Sequence, residues 1–263
     1  MYDFDVEQPS SVADAVQALS REEAQPLSGG QTLIPTLKAR LAAPSVLVSL
    51  SGIDEMKGVM IDSGGRLVVG GATTHATVAA EAAAHYPALA GLAARIGDPA
   101  VRNRGTIGGS LANNDPSACY PAGALGSGAT IVTNAREIEA DDYFQGMFDT
   151  ALEEGEIVTE VRFPVPLAAH YEKMLQPASR FPLVAAFVAK FEDGVRVAIT
   201  GASNGGVFRW SEAEAALSAN FSADALAGLS VDGSNMINDL HGTGAYRAHL
   251  VGVMTKRAVA AIG

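Results

Sequence analysis

The sequence predicts an α+β fold in two parts, a larger one over residues 1–160 and a smaller one over 161–263. Two patterns carry this reading. In the first part short β-type runs alternate with helical runs of 3.6-residue period; in the second a long hairpin precedes two helices. Composition agrees, since 48% of the 263 residues are hydrophobic, enough for a sizeable core. No apolar run approaches the roughly 18–20 residues that a membrane span needs.

The elements follow in order. Ser11 caps a helix that runs to about Leu19, with Asp14 at its third position and Val12, Val16 and Leu19 on one face. Gln25-Pro26-Leu27 is a short extended segment leading into the pair Gly29-Gly30. Leu33, Leu37 and Leu41 then recur every four residues; Pro35 is tolerated in a first turn and Pro44 ends the helix. Residues 45–50 (SVLVSL) form a buried strand, and 59–70 a hairpin turning at Ser63-Gly64-Gly65. Helical patterns at 74–85 and 86–96 lead to a second pair, Gly108-Gly109. A hairpin over 128–140 and a strand over 156–163, closed by Pro164 and Pro166, complete the first part. In the second, residues 181–202 form a hairpin turning at Asp193-Gly194, followed by helices at 211–219 and 243–262. Tyr246, Leu250, Val253 and Met254 make an apolar stripe on the last helix, read as core.

Charge and cysteine content narrow the function. A net charge of −11 argues against a basic face for nucleic acid or for an anionic membrane. The acidic start, MYDFDVEQPS, lacks the basic-then-apolar order of a signal peptide. The single cysteine, Cys119, allows no internal disulfide and no cysteine-ligated iron–sulfur cluster in this chain, and a reducing cytoplasm fits best.

The chemistry-bearing motifs are the two glycine pairs. Successive backbone N–H groups in a glycine-rich turn can converge on one anion, and a helix start adds its own unpaired N–H groups. Ser28, Thr32, Thr106 and Ser110 are small neighbours able to donate hydroxyl hydrogen bonds. Two such loops in one domain could face a single ligand and hold both halves of a pyrophosphate; the plainer role of each is a tight turn. A G-x-G-x-x-G after a strand and a P-loop lysine motif are both missing. The histidines His75, His85, His170, His241 and His249 show no metal-ligand spacing, Asp141-Asp142 reads as solvated, and no nucleophile elbow exists. Scarce acid, base and nucleophile signals beside a diphosphate cradle point to a bound organic cofactor that carries the chemistry.

Residues 28–53 (SGGQTLIPTLKARLAAPSVLVSLSGI) and 96–116 (IGDPAVRNRGTIGGSLANNDP) resemble the two flavin-binding signatures of the medium subunit of molybdenum hydroxylases, the carbon monoxide dehydrogenase and xanthine dehydrogenase group. The resemblance continues through 144–164, 171–189 and 246–259, so it covers essentially the whole chain. It implies a vanillyl-alcohol-oxidase-type (PCMH) FAD-binding fold of two subdomains, about 1–55 and 56–160, followed by a small C-terminal domain of antiparallel sheet with helices. It also implies noncovalent FAD, with Ser28, Gly29, Gly30, Gln31, Thr32 and Leu33, and Thr106, Ile107, Gly108, Gly109 and Ser110, wrapping the diphosphate. By the same likeness Asp115 lies near the ribityl or ribose hydroxyls, Ile157 approaches the flavin ring through its backbone, and Lys173 lies close to the isoalloxazine. Two positions depart from the pattern: Ser28 stands where alanine is usual, and Cys119 where many members carry an aspartate, a better acceptor than a thiol.

The function so implied is electron transfer. An iron–sulfur small subunit would supply electrons, a molybdopterin large subunit would oxidise the substrate, and FAD here would serve an external acceptor in a dimer of heterotrimers. No residue of this chain is expected to be catalytic or to bind a metal. The alternative is a stand-alone flavin oxidase of the same fold, for which the hundred or so residues after the flavin domain are few.

Overall fold

The computed structural model describes residues 1–263, and the chain builds three main sheets one after another, with a small two-stranded ribbon besides. The first is made of β1 (Asp5–Glu7), α1 (Val12–Leu19), β2 (Ala24–Leu27), α2 (Leu33–Lys38) and β3 (Val46–Ser49), with strand order β1-β3-β2. All its pairings are parallel, so each return needs a crossover, and α1 and α2 supply them. Ser11 caps α1 as expected, its Oγ accepting the Asp14 N–H at 3.1 Å. Ala15, Ala18 and Leu19 of that helix bury against Val46 and Val48.

The second sheet has the order β4-β5-β10-β6-β7. Its strands are β4 (Val59–Ile61) and β5 (Leu67–Gly70), then β6 (Thr130–Thr133) and β7 (Glu137–Glu139), and finally β10 (Val158–Phe163) between the two hairpins. Between β5 and β6 the chain makes five helices: α3 (His75–Glu81), α4 (Pro87–Ala94), α5 (Pro99–Arg102), α6 (Ile107–Asn113) and α7 (Tyr120–Ser127). A short helix α8 (Ala140–Tyr143) and the small ribbon β8 (Phe144–Gly146) and β9 (Asp149–Thr150) precede β10. Because β10 runs unbroken to Phe163, the sheet passes the boundary drawn at residue 160 by three residues.

The third sheet is an antiparallel meander of β11 (Ala168–Leu175), β12 (Pro182–Lys190), β13 (Val195–Ser203) and β14 (Gly206–Arg209), covered by α9 (Ser211–Ala219) and α10 (Gly244–Ile262). β12 shows why it sits centrally. Val184, Ala186 and Val188 face the core under α9 and α10, while Ala185, Phe187 and Ala189 face the opposite core shared with α4 and α7.

Three expectations change. The helix after the first glycine pair stops at Lys38, because Arg40 turns to φ 60°; Leu41 is outside it and exposed. α7, which its Gly- and Ala-rich sequence did not announce, is buried on every side. On α10, Leu250 and Met254 are core, but Tyr246 is 42% exposed and the fully enclosed long side chain is Arg247. Its guanidinium donates to Leu183 O and Gly201 O, both at 2.7 Å, and pairs with Asp239 at 2.8 Å. A buried cation is tolerated only when paired in this way.

Candidate functional site

The two glycine pairs, far apart in sequence, meet. Ser28 Oγ and Thr106 Oγ1 are 2.7 Å apart, and a Cβ on Gly29 would run into the Arg104 carbonyl and Gly105. Glycine is therefore required at 29 by the approach of the other loop. The seam between them opens into a cavity of about 850 Å³, in the upper part of the roughly 300–1,000 Å³ range of cofactor sites.

The loops differ in what they offer. In the first, Gly30 takes φ +70°, and the N–H groups of Gly29, Gly30, Gln31 and Thr32 donate to no protein acceptor. Thr32 makes no side-chain cap, so the start of α2 is open toward the cavity. In the second, Gly108-Gly109 lies inside the first turn of α6 and its N–H groups are taken. Ile107 donates to Thr73 O (3.2 Å), Gly108 to Gly71 O (2.9 Å) and Gly109 to Thr106 Oγ1 (3.2 Å). The expected second nest is thus a packed joint: a Cβ on Gly108 would lie 2.7 Å from Gly71 O. What this loop brings to the cavity wall is Thr106, Ser110 and the two glycines, with the Thr106 hydroxyl already shared between Ser28 and the Gly109 N–H.

Ser28, Gly29, Gly30, Gln31, Thr32, Leu33, Thr106, Gly108, Gly109, Ser110, Asp115 and Ile157 all line the cavity. Asp115 heads a turn in which its Oδ1 accepts the Ser117 N–H at 2.8 Å, and Pro116 O ties the turn to β13 through the Gly201 N–H at 2.7 Å. Ile157 is fixed by Asn134, which accepts its N–H at 2.7 Å and donates its own N–H to the Ile157 carbonyl at 3.2 Å. Both backbone polar groups of Ile157 are thus engaged by Asn134, which fixes this stretch of backbone in the cavity wall. Beside it, hydrogen bonds from Arg136 hold the Glu156 carboxyl at a pKa of about 2.

Two expected residues stand behind the wall. Ile107 is fully buried in the core. Lys173 is 4% exposed, donating from Nζ to Arg95 O at 2.7 Å with Cys119 Sγ at 3.6 Å; burial lowers its pKa, while the thiol opposes that. Cys119 is likewise buried and is not part of the cavity wall. Sequence reasoning missed His75, Phe181, Asp239 and His241, all of which line the cavity. Phe181 and His241 pack edge to face at 5.3 Å, and Asp239 is the residue clamped by Arg247. The wall contains no lysine or arginine. An anion in this cavity meets backbone N–H groups and hydroxyls, the donor set of a helix-start and nest site.

Comparison with known proteins decides the family. The family described as "FAD binding domain in molybdopterin dehydrogenase" matches residues 2–166. The chain belongs to that family. The carbon monoxide dehydrogenase medium chain of Afipia carboxidovorans is 35% identical over 97% of this chain and 95% of its own length. The nicotine 6-hydroxylase medium subunit of Paenarthrobacter nicotinovorans is 32% identical, with the same coverage. Among solved structures, reconstituted CO dehydrogenase from Oligotropha carboxidovorans matches with a TM-score of 0.88 and 32% identity, covering 98% of this chain and 96% of that one. Quinoline 2-oxidoreductase from Pseudomonas putida 86 matches with a TM-score of 0.87 and 28% identity, covering 99% and 96%. The expected fold class, a PCMH-type FAD-binding fold with a further antiparallel sheet and helices, is borne out by this membership and these neighbours. No helix is long and apolar enough to cross a membrane.

Proposed function

We propose that this chain is the FAD-carrying, electron-transfer medium subunit of a heteromeric molybdenum hydroxylase, assembled with an iron–sulfur small subunit and a molybdopterin large subunit as a dimer of heterotrimers in the cytoplasm. The carrying observation is the cavity itself, walled by both glycine loops, open at four consecutive backbone N–H groups and free of lysine and arginine. Bound FAD supplies a carrier that takes up two electrons and gives them to an external acceptor.

The chain's own part is to bind and orient. Gly29, Gly30, Gln31 and Thr32 hold one end of the diphosphate by N–H donation, and the hydroxyls of Ser28, Thr106 and Ser110 complete its shell. Gly108 and Gly109 let the backbone come close. Leu33 and Ile157 close apolar walls that exclude water, and Asp115 accepts from sugar or ribityl hydroxyls. Ile107 and Lys173 act from behind, as supports of the α6 start and of the floor near Arg95. In this reading residues 1–55 and 56–160 are the two subdomains of the flavin unit, and 161–263 roofs its far end through Phe181, Asp239 and His241.

The complex should hold about one noncovalent FAD per chain, released on denaturation; FMN, with one phosphate, would leave the cradle half used. Without its partners, the flavin-loaded chain should keep its oxidised absorbance when aldehydes, purines or N-heterocycles are added anaerobically, and lose it once both partners are restored. Rapid bleaching in the chain alone would favour the stand-alone oxidase instead.

A further inference from the structure

His75 opens α3 and is 5% exposed in the cavity wall. It is held against the second glycine loop: its backbone N–H donates to Gly105 O at 2.9 Å, and a β-bridge joins Thr74 to Thr106. The ring packs on Tyr120, centroids 5.2 Å apart and planes inclined at 51°. Residue 105 is glycine where a Cβ would come 2.5 Å from His75 Nε2, so the loop makes room for this ring.

Neither ring nitrogen bonds to the protein; Nδ1 is enclosed, while Nε2, which is not, lies beside Gly105 of the cavity wall. An enclosed N–H with no acceptor is the costlier of the two orphans, so the environment assigns the proton to Nε2. Burial, reinforced by the Arg102 charge, holds the ring pKa at about 4. The other titratable group against the ring, Tyr120, is kept as a neutral phenol by its own burial. His75 is thus a neutral N–H donor with no acceptor in the protein, at the seam of the two loops.

We propose that His75 is a positioning residue that donates Nε2–H to an oxygen acceptor of the bound dinucleotide, a role that rests on the FAD-binding reading above. The acceptor can come from the diphosphate half or from the flavin half. A neutral donor suits either, and it adds no positive charge near the ring.

The test is nuclear magnetic resonance of the full chain with ¹⁵N-labelled histidine rings. Without cofactor, His75 should show the neutral Nε2–H form from about pH 5.5 to 8, where an ordinary histidine titrates. Saturating FAD should shift the Nε2–H resonance and slow its exchange. A matching shift with ADP assigns the acceptor to the diphosphate half; a shift with FAD alone assigns it to the flavin half. FAD bound by absorbance with the His75 signals unmoved overturns the role, as does a ring that titrates near pH 6.5 or carries its proton on Nδ1. Absence of bound FAD overturns the role and the FAD reading together, and absorbance tells these failures apart. Independently, His75→Phe keeps the ring packing but loses the donor, and should weaken FAD about 5- to 10-fold, with His75→Gln recovering most of the loss. Unchanged FAD affinity in the folded Phe variant also refutes it.

Discussion

The two glycine pairs look alike in sequence and do different work. Around Gly29-Gly30 the backbone has free N–H groups and a left-handed residue; around Gly108-Gly109 every helix-start N–H is spent on protein acceptors. One loop is kept open for a ligand, while the other is closed on Gly71 and Thr73 to lock α6 onto the second sheet. Close approach requires glycine at 29 as it does at 108, but only in the first pair is the N–H row left free, with Gly30 supplying the left-handed turn. The same residue letters, G-G, report two different physical needs.

That contrast can be broken by substitution. Gly108→Ala should have the largest effect, on folding: its Cβ would meet Gly71 O at 2.7 Å and would displace the Gly108 N–H bond to it. A loss of about 2–4 kcal/mol, read as a melting drop of roughly 5–10 °C without cofactor, is expected. Gly30→Asp should instead spare most of the stability, costing about 1–2 kcal/mol for a side chain in the left-handed region. It should cut FAD affinity on the order of 100-fold, because a carboxylate would stand beside the open N–H groups and repel the diphosphate. If Gly30→Asp melted early yet bound FAD normally per folded chain, the open loop would be a turn and nothing more.

Acid sharpens the picture on the opposite wall. The Glu156 pKa falls from the usual 4.5 to about 2 in the folded chain, so its pairing stabilises fully above pH about 4.5 and is lost as pH falls toward 2. Thermal melts across that window should decline, and Glu156→Gln should flatten the decline. The effect is smaller than the first two, since Arg136 is 42% exposed and solvent screens the pair. Smallest is Ser28→Ala, which removes the hydroxyl contact to Thr106 and should weaken FAD only about 2- to 10-fold by titration. A loss as great as that of Gly30→Asp would mean that the hydroxyl, not the N–H row, holds the ligand.

Much of this was legible in the residues. The Ser11 cap and the hairpins turning at Ser63-Gly64-Gly65 and Asp193-Gly194 are local signals, and local geometry honours them. Most of the expected cofactor residues line one cavity, because each motif keeps its residues within a few positions of one another. What was hidden depends on partners distant in sequence. Leu41 keeps the helical period but has nothing to bury against. α7 is enclosed between the third sheet and helices α4, α6 and α8, so it has no polar face to reveal a period. The occupied N–H groups of α6 depend on Gly71 and Thr73, and the isolation of His75 Nδ1 depends on what surrounds it; neither is written near those positions.

The meeting of Ser28 with Thr106 spans 78 residues of chain, and it sets when the molecule can be loaded. Contacts between residues so distant form late, after the entropy of closing a long loop has been overcome. Neither half of the cradle alone surrounds a dinucleotide, so a nascent or partly folded chain presents no complete receptor for it. Flavin uptake then reports that both sheets have docked. A ligand that recognises only the finished molecule also draws the folding equilibrium toward it, by an amount that grows with the logarithm of its concentration. In cells short of flavin, these chains would spend longer unfinished and exposed to proteolysis.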